Sequence, residues 1–208
     1  MATIAVVGVG PGDPELLTLK ARAVIEAADY VAGFATVLKP VGRWIRGTAL
    51  PMSYRDQEQV LDELASHAEA GKKCVLCVWG DLNFSAGELL ARIRRRAEIE
   101  PVPGISSVQI ACARLGLAME ASLFITLHVR DGREAGMDTL VAALREGSRN
   151  VIVLPRPFDL MPAAIARRLL EAGLRTDMDV QVLERLSLPD ERITRRTLAS
   201  LASDDRQW

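Results

Sequence analysis

Three short stretches of the chain set glycine beside aspartate or serine: Gly8-Val9-Gly10-Pro11-Gly12-Asp13-Pro14, Gly80-Asp81-Leu82-Asn83-Phe84-Ser85 and Pro103-Gly104-Ile105-Ser106-Ser107. Each follows an apolar run of strand length: Thr3 to Val9, Lys73 to Trp79 and Ile99 to Val102. At the carboxyl end of a parallel strand, glycine lets a backbone approach a ligand closely, and several such turns on one edge make a small-molecule site. Phosphate binding fits them poorly. Gly8 and Gly10 match the first two positions of G-x-G-x-x-G, but the third falls on Asp13, and Pro11 removes a backbone N–H. A pyrophosphate at this helix N-terminus would face a carboxylate and lack a donor. A nicotinamide oxidoreductase is disfavoured on that ground. Asp13 itself has two readings, either a group acting on a ligand or the cap of a helix with Pro14 in its first position and Glu15 in its first turn.

Two further groups carry possible chemistry. His128 ends an apolar strand and titrates near neutrality, which suits proton transfer as well as a structural hydrogen bond. Cys74 and Cys77 form a C-x-x-C, but no second pair or histidine cluster accompanies them, and they lie inside the apolar run Cys74 to Val78. They read as core thiols, so no protein metal site is expected. Arg92 and Arg94 to Arg96, like Arg167 and Arg168, read as solvated helix faces.

The elements that must position these groups alternate. The opening strand leads into a helix running to about Ala28, then a short strand, Asp29 to Ala32. Gly33 to Met52 is punctuated by glycine and proline and reads as a lid or exposed loop. Asp56 and Gln59 have capping-box spacing for a helix ending near Gly71. Helices also follow the second and third glycine turns, to about Ala97 and to Gly116. The pattern restarts near Leu117 to Ser122, which places the domain boundary there: residues 1–118 as a parallel-sheet α/β domain and 119–208 as a second α/β domain. In the second, strands at Leu123 to His128 and Val151 to Leu154 are joined through a helix near Met137 to Arg145. A helix from Pro162 to Ala172 precedes a hairpin, Val180 to Leu186 and Arg192 to Thr197, which would make that sheet mixed.

Composition narrows the class. Apolar residues make up 49% and the formal net charge is −1, enough for a core and too balanced for nucleic acid as the main partner. No apolar segment approaches the ~20 residues of a membrane span, and the first ten residues lack the basic start of a signal peptide. A cytoplasmic protein is the expectation.

Taken in order, these motifs resemble a known family. Gly8-Val-Gly-Pro-Gly-Asp-Pro14 followed by Leu16-Leu-Thr-Leu-Lys20 is similar to the opening motif of the tetrapyrrole methylases, and Gly80-Asp81 to their second motif. Val102-Pro-Gly-Ile-Ser-Ser-Val-Gln109 resembles the third. Leu127-His128 and the late Glu184-Arg-Leu-Ser-Leu-Pro-Asp-Glu-Arg-Ile193 resemble the branch that methylates carbon 5 of precorrin-7 or its cobalt form on the way to cobalamin. The resemblance implies two α/β domains with S-adenosyl-L-methionine in a cleft between them, a tetrapyrrole substrate and a homodimer. It implies a cofactor site of Pro11, Trp79, Gly80, Asp81, Phe84, Ser106, Ser107, Pro155 and Arg196, with Asp81 answering the cofactor's ammonium or sulfonium. His128 and Asp13 become the candidates for catalysis. A substrate rich in carboxylates needs arginines, for which Arg130 and Arg133, then Arg43 and Arg46, are placed to serve. The chain departs from the family pattern at Leu82-Asn83, Val129 and Arg196. Methylation at another macrocycle position, a non-tetrapyrrole target such as the diphthamide precursor, and a non-catalytic binding role stand as alternatives.

Overall fold

The computed structural model describes residues 2–84, 86–128, 133–157 and 159–206, with backbone alone at 133 and 134. Two compact units emerge, residues 1–110 and 111–208. The division falls within a helix, α5 (Ser107–Leu115), just ahead of the 118/119 position expected from sequence.

The first unit is a five-stranded, all-parallel sheet in the order β3-β2-β4-β1-β5. Its strands are β1 (Thr3–Gly8), β2 (Tyr30–Phe34), β3 (Thr48–Met52), β4 (Cys74–Val78) and β5 (Glu98–Val102). Both faces are covered, and the period of two along each strand sorts the side chains between them. Ile4 and Val6 of β1 join Cys74, Leu76 and Val78 of β4 against α3 (Gln57–Glu69) and α4 (Gly87–Arg94). Val7 and Val9, with Val75 and Cys77, face α1 (Leu19–Glu26) and α2 (Ala35–Val41) on the other side. Thiols three residues apart on a strand point to opposite faces, so Cys74 and Cys77 sit in different core layers and share no site. No cluster among the described residues could hold a metal ion.

Three local expectations are corrected. Gly33 to Met52 is not an exposed loop: it holds the end of β2, α2, a 3₁₀ turn at Gly42–Trp44 and β3. Val37, Leu38, Val41 and Trp44 recur at helical spacing and bury one face, while Pro40 lies late enough in α2 to end the helix without disrupting its start. Asp13 caps only a 3₁₀ turn, Pro14–Leu16, by accepting from the Glu15 N–H at 2.8 Å. The chain extends again at Leu17, and α1 starts afresh with Thr18 accepting from the Ala21 N–H. Asp56 precedes α3 without a capping box. Its carboxylate turns back to accept from the Ser53 N–H and hydroxyl, which holds its pKa below the usual range.

The run of arginines is more than a solvated face. Arg92 and Arg96 of α4 reach Glu58 and Asp62 of α3 and tie the two helices together across the surface. Glu58 is held below its ordinary pKa by the hydrogen bonds from Arg92 and Arg96. Exposed pairs of this kind contribute modestly to stability.

The second unit packs a single apolar cluster drawn from every layer, including Ile125, Leu140, Leu169, Val182 and Leu198. It contains β6 (Ser122–Thr126), α6 (Arg133–Glu146), β7 (Asn150–Leu154), α7 (Pro162–Glu171), β8 (Asp179–Glu184), β9 (Arg192–Thr197) and α8 (Leu198–Ala202). Parallel and antiparallel pairing both occur, but in two separate two-stranded sheets, β6-β7 and β8-β9, instead of one mixed sheet. All six residues of β8 are in register with β9, and neither strand pairs with β6 or β7 among the described residues. Its connection is tight: Arg185 and Ser187 take positive φ values of 52° and 66°. The Ser187 N–H donates to Glu191 at 2.6 Å, and Glu191 is in turn held by Arg114 of α5 at 2.7 Å.

Candidate active site

Parallel pairing sends β1, β4 and β5 to the same edge, and the strand order makes them neighbours. The glycine turns that follow them therefore meet. Gly10 and Gly80 exchange backbone hydrogen bonds, N–H to carbonyl at 3.2 and 2.9 Å. Both take positive φ, 82° and 60°, where a side chain would be strained. The third turn lies against these two so closely that a Cβ on Gly104 would stand 2.3 Å from the Gly80 carbonyl oxygen and 2.6 Å from that of Gly8. A Cβ on Gly8 would meet the Gly80 oxygen at 2.5 Å. The edge is thus a floor of bare backbone, three turns thick, with no room for side chains between them.

Several donors of this floor are already engaged. The N–H groups of Gly10 and Gly80 serve each other, and that of Val9 serves Val78 at 2.9 Å. Gly104 donates to the Asp81 Oδ2 at 3.0 Å. The amino end of α5 is closed by a reciprocal cap: the Ser106 Oγ accepts from the Val108 N–H at 3.1 Å, and the Gln109 Oε1 accepts from the Ser106 N–H at 2.7 Å. The Gly10, Gly80, Gly104 and Ser106 N–H groups, which could have met a pyrophosphate, hold the turns together instead. A ligand with an uncharged nucleoside, which asks for close apolar and van der Waals approach, fits this surface better.

Most of the expected cofactor residues of the first unit gather at this edge. Trp79 follows β4 and leaves 41% of its surface exposed. Gly80 and Asp81 form the crossing point, and Phe84 closes the turn by donating its N–H to the Asp81 carbonyl. Pro11 stands between Gly10 and Gly12 in the first turn, Asp13 caps just beyond, and Ser106 and Ser107 open α5. Leu82, one of the departures from the family pattern, is buried in the core beneath α4, so it anchors the second turn from below. Gln109 and Leu82 are the residues whose roles here were not read from sequence. The Ser-x-x-Gln spacing at 106–109 was a capping-box signal that only its place at a turn made meaningful.

Arg43 and Arg46 are elsewhere. They lie between α2 and β3, on the amino edge of the sheet, where the Thr48 N–H donates to the Asp29 carbonyl ahead of β2. Arg43 stacks over Trp44 at 4.1 Å, and Arg46 pairs with Glu26 at 4.0 Å. Parallel topology puts them at the opposite end of the strands from the glycine turns, which corrects their placement beside the site.

In the second unit, His128 and Pro155 stand at the carboxyl ends of β6 and β7, and the ladder continues between them with the Leu127 N–H donating to Leu154 at 2.9 Å. The His128 imidazole donates to the Pro155 carbonyl, and burial holds its pKa below the ordinary histidine value despite that bond. At neutral pH the ring is uncharged, with one nitrogen committed and the other carrying a lone pair. Arg196 lies in β9 opposite Val180 and pairs with Asp204 at 3.8 Å; its buried Nε has no hydrogen-bond partner. Arg130 lies outside the described residues, and Arg133 is the first residue of α6, described by its backbone alone.

This site, built on a parallel sheet with crossed glycine turns, belongs to a defined class. Residues 3–202 match the model of the tetrapyrrole (corrin/porphyrin) methylases, and the chain belongs to that family. Among its relatives, the probable cobalt-precorrin-7 C(5)-methyltransferase of Methanocaldococcus jannaschii is 31% identical over 204 residues, covering 97% of this chain and 92% of that protein. The cobalt-precorrin-4 C(11)-methyltransferase of the same organism is 28% identical over 96% of this chain and 80% of its own length. The uroporphyrin-III C-methyltransferase of Thermus thermophilus, solved in complex with S-adenosylhomocysteine, superposes with a TM-score of 0.73 at 26% identity, over 96% of this chain and 85% of that one.

Proposed function

We propose that the chain methylates carbon 5 of precorrin-7 or cobalt-precorrin-7, a step toward cobalamin. That it is an S-adenosyl-L-methionine-dependent tetrapyrrole C-methyltransferase follows from its family. The finer assignment is supported by the near full-length match to the C(5) relative. It is also supported by the Ser106-Ser107-Val108-Gln109, Leu127-His128 and Pro189-Asp-Glu-Arg-Ile193 stretches. Methylation at another macrocycle position is the second reading, favoured by the similarity to the C(11) enzyme.

The observation that carries the cofactor assignment is the backbone floor at the carboxyl edge of β1, β4 and β5, where the Gly10, Gly80, Gly104 and Ser106 N–H groups are engaged within the unit. S-adenosylmethionine, when bound, supplies an electrophilic methyl on a sulfonium. In this reading Pro11, Gly80 and the Ser106–Ser107 pair border it, and Trp79 and Phe84 supply apolar walls. Asp13, occupied as a cap, keeps the first turn in shape. Orientation and exclusion of water are the main work asked of such residues. A macrocycle carbon that gains a methyl must later lose a proton from the conjugated system, and His128 is the proposed acceptor. Its neutral ring, fixed by the Pro155 carbonyl, offers the second nitrogen as base. The many carboxylates of the substrate fall to Arg130 and Arg133, since Arg43 and Arg46 lie at the other edge. Within this reading the enzyme works in the cytoplasm as a homodimer; no helix among the described residues is long and apolar enough to cross a membrane.

The test is turnover of precorrin-7 and of its cobalt form with S-adenosylmethionine, the product analysed by mass and by carbon-13 NMR. One added methyl at carbon 5 is expected. A methyl on another carbon, or turnover of uroporphyrinogen III in preference, would overturn the assignment to carbon 5.

A further inference from the structure

Asp81 is the acidic side chain at the crossing of the turns, and its two oxygens are both directed at backbone of the same unit. Oδ1 accepts from the Asn83 N–H at 2.8 Å, closing the second turn on itself. Oδ2 accepts from the Gly104 N–H at 3.0 Å, 23 residues away, just past the end of β5. We propose that Asp81 is a positioning residue that clamps the third glycine turn against the first two, and that its effect on cofactor binding runs through Gly104 and not through the cofactor's ammonium.

The physical grounds are local. Gly104 begins the segment that delivers Ser106 and Ser107, and its N–H is the first donor left over when the β5 ladder ends at Val102. Its near-contact with the Gly8 and Gly80 backbones leaves no side chain of its own to hold it there. A carboxylate is the acceptor that can hold two N–H groups from two turns at once, and bonds to a charged acceptor are about twice as strong as neutral ones. Asparagine at this position offers one carbonyl oxygen and turns an N–H₂ toward the other donor, so one of the two bonds must be lost. The second end of the same segment is held by the Gln109 cap on Ser106. The Pro103–Ser107 turn is thus pinned at both ends by side chains of its neighbours.

The inference rests on the assignment of these turns to S-adenosylmethionine, and the test separates the two. Calorimetry compares S-adenosylhomocysteine with its analogue in which hydrogen replaces the amino group, on the unmutated chain and on Asp81→Asn. The clamp predicts that both ligands weaken by the same factor, about ten- to hundredfold for loss of a charged hydrogen bond, leaving their affinity ratio unchanged. A ratio that collapses toward one in Asp81→Asn would make the ammonium the partner and overturn the proposal. Hydrogen exchange of the Gly104 amide in the unliganded, unmutated chain gives a reading that needs neither ligand nor variant. Protection of at least about a hundredfold over the unstructured rate is expected, and exchange at the unprotected rate would also overturn it. If the unmutated chain fails to bind S-adenosylhomocysteine while Gly104 is protected, the cofactor assignment falls and the clamp stands as a feature of the turns.

Discussion

Replacing Gly104 by alanine is the sharpest perturbation of the turn cluster. Its φ lies outside the left-handed region, so a methyl there costs nothing in backbone strain and the whole effect is steric. The added carbon would stand 2.3 Å from the Gly80 oxygen, 2.6 Å from the Gly8 oxygen and 2.7 Å from the Gly8 carbonyl carbon, all backbone atoms at the ends of buried strands. Ordinary contact begins near 3.4 Å, so the third turn must lift by about 1 Å. Overpacking of this kind costs about 1–3 kcal/mol. Lifting the turn also stretches the Gly104 bond to Asp81, worth about 1.5 kcal/mol or more because the acceptor is charged. A destabilisation of about 3 kcal/mol follows, about a hundredfold in the folding equilibrium. Urea unfolding followed by circular dichroism measures it, with Gly87→Ala as the control. Gly87 is the first residue of α4 with open space around its missing Cβ, and its replacement should be neutral or stabilise by up to about 1 kcal/mol. A Gly104→Ala chain as stable as the control, binding S-adenosylhomocysteine with unchanged affinity, would refute the stacking of the turns.

Two further outcomes test other parts of the structure. Because burial lowers the His128 pKa in the folded state, the unfolded chain binds its proton first as pH falls. The histidine's contribution to stability is therefore fully present above its ordinary value of about 6.5 and is lost as pH drops below that toward the folded pKa. The urea midpoint should fall more steeply below about pH 6.5 in the unmutated chain than in His128→Asn, and parallel slopes would count against a buried neutral ring. Cys74 and Cys77 are buried, with thiol pKa values pushed up to about 11 and about 12 by desolvation. Neither should react with Ellman's reagent at pH 8 unless the protein is unfolded; prompt modification of Cys74 or Cys77 in the native Cys112→Ala chain would show that β4 is not an interior strand of the sheet.

The sequence by itself determined the parallel architecture of the first unit and the identity of the three glycine turns. Alternation of strand-length apolar runs with helical ones leaves few other topologies, and glycine density marks backbone that must come close to something. It also carried the family resemblance, which rests on residue identity and needs no coordinates. Where sequence reading went astray, two signals competed. Gly33, Pro40, Gly42 and Gly47 outweighed the apolar stripe Val37-Leu38-Val41-Trp44, because turn residues are judged one at a time while a stripe is visible only when something packs on it. Asp13 had the composition of a helix cap, and no local feature tells a cap on a 3₁₀ turn from one on the long helix beyond. What only the tertiary structure decided is what the glycines approach. Gly8, Gly80 and Gly104 are far apart in the chain, and strand order alone makes them neighbours, so that the backbones of the other turns exclude a side chain at Gly8 and at Gly104. The same topology sent Arg43 and Arg46 to the far edge of the sheet and gave Asp81 a backbone partner, Gly104, in another turn. Residue type limits what a side chain can bind, but its partner is set by which strand ends the sheet brings together.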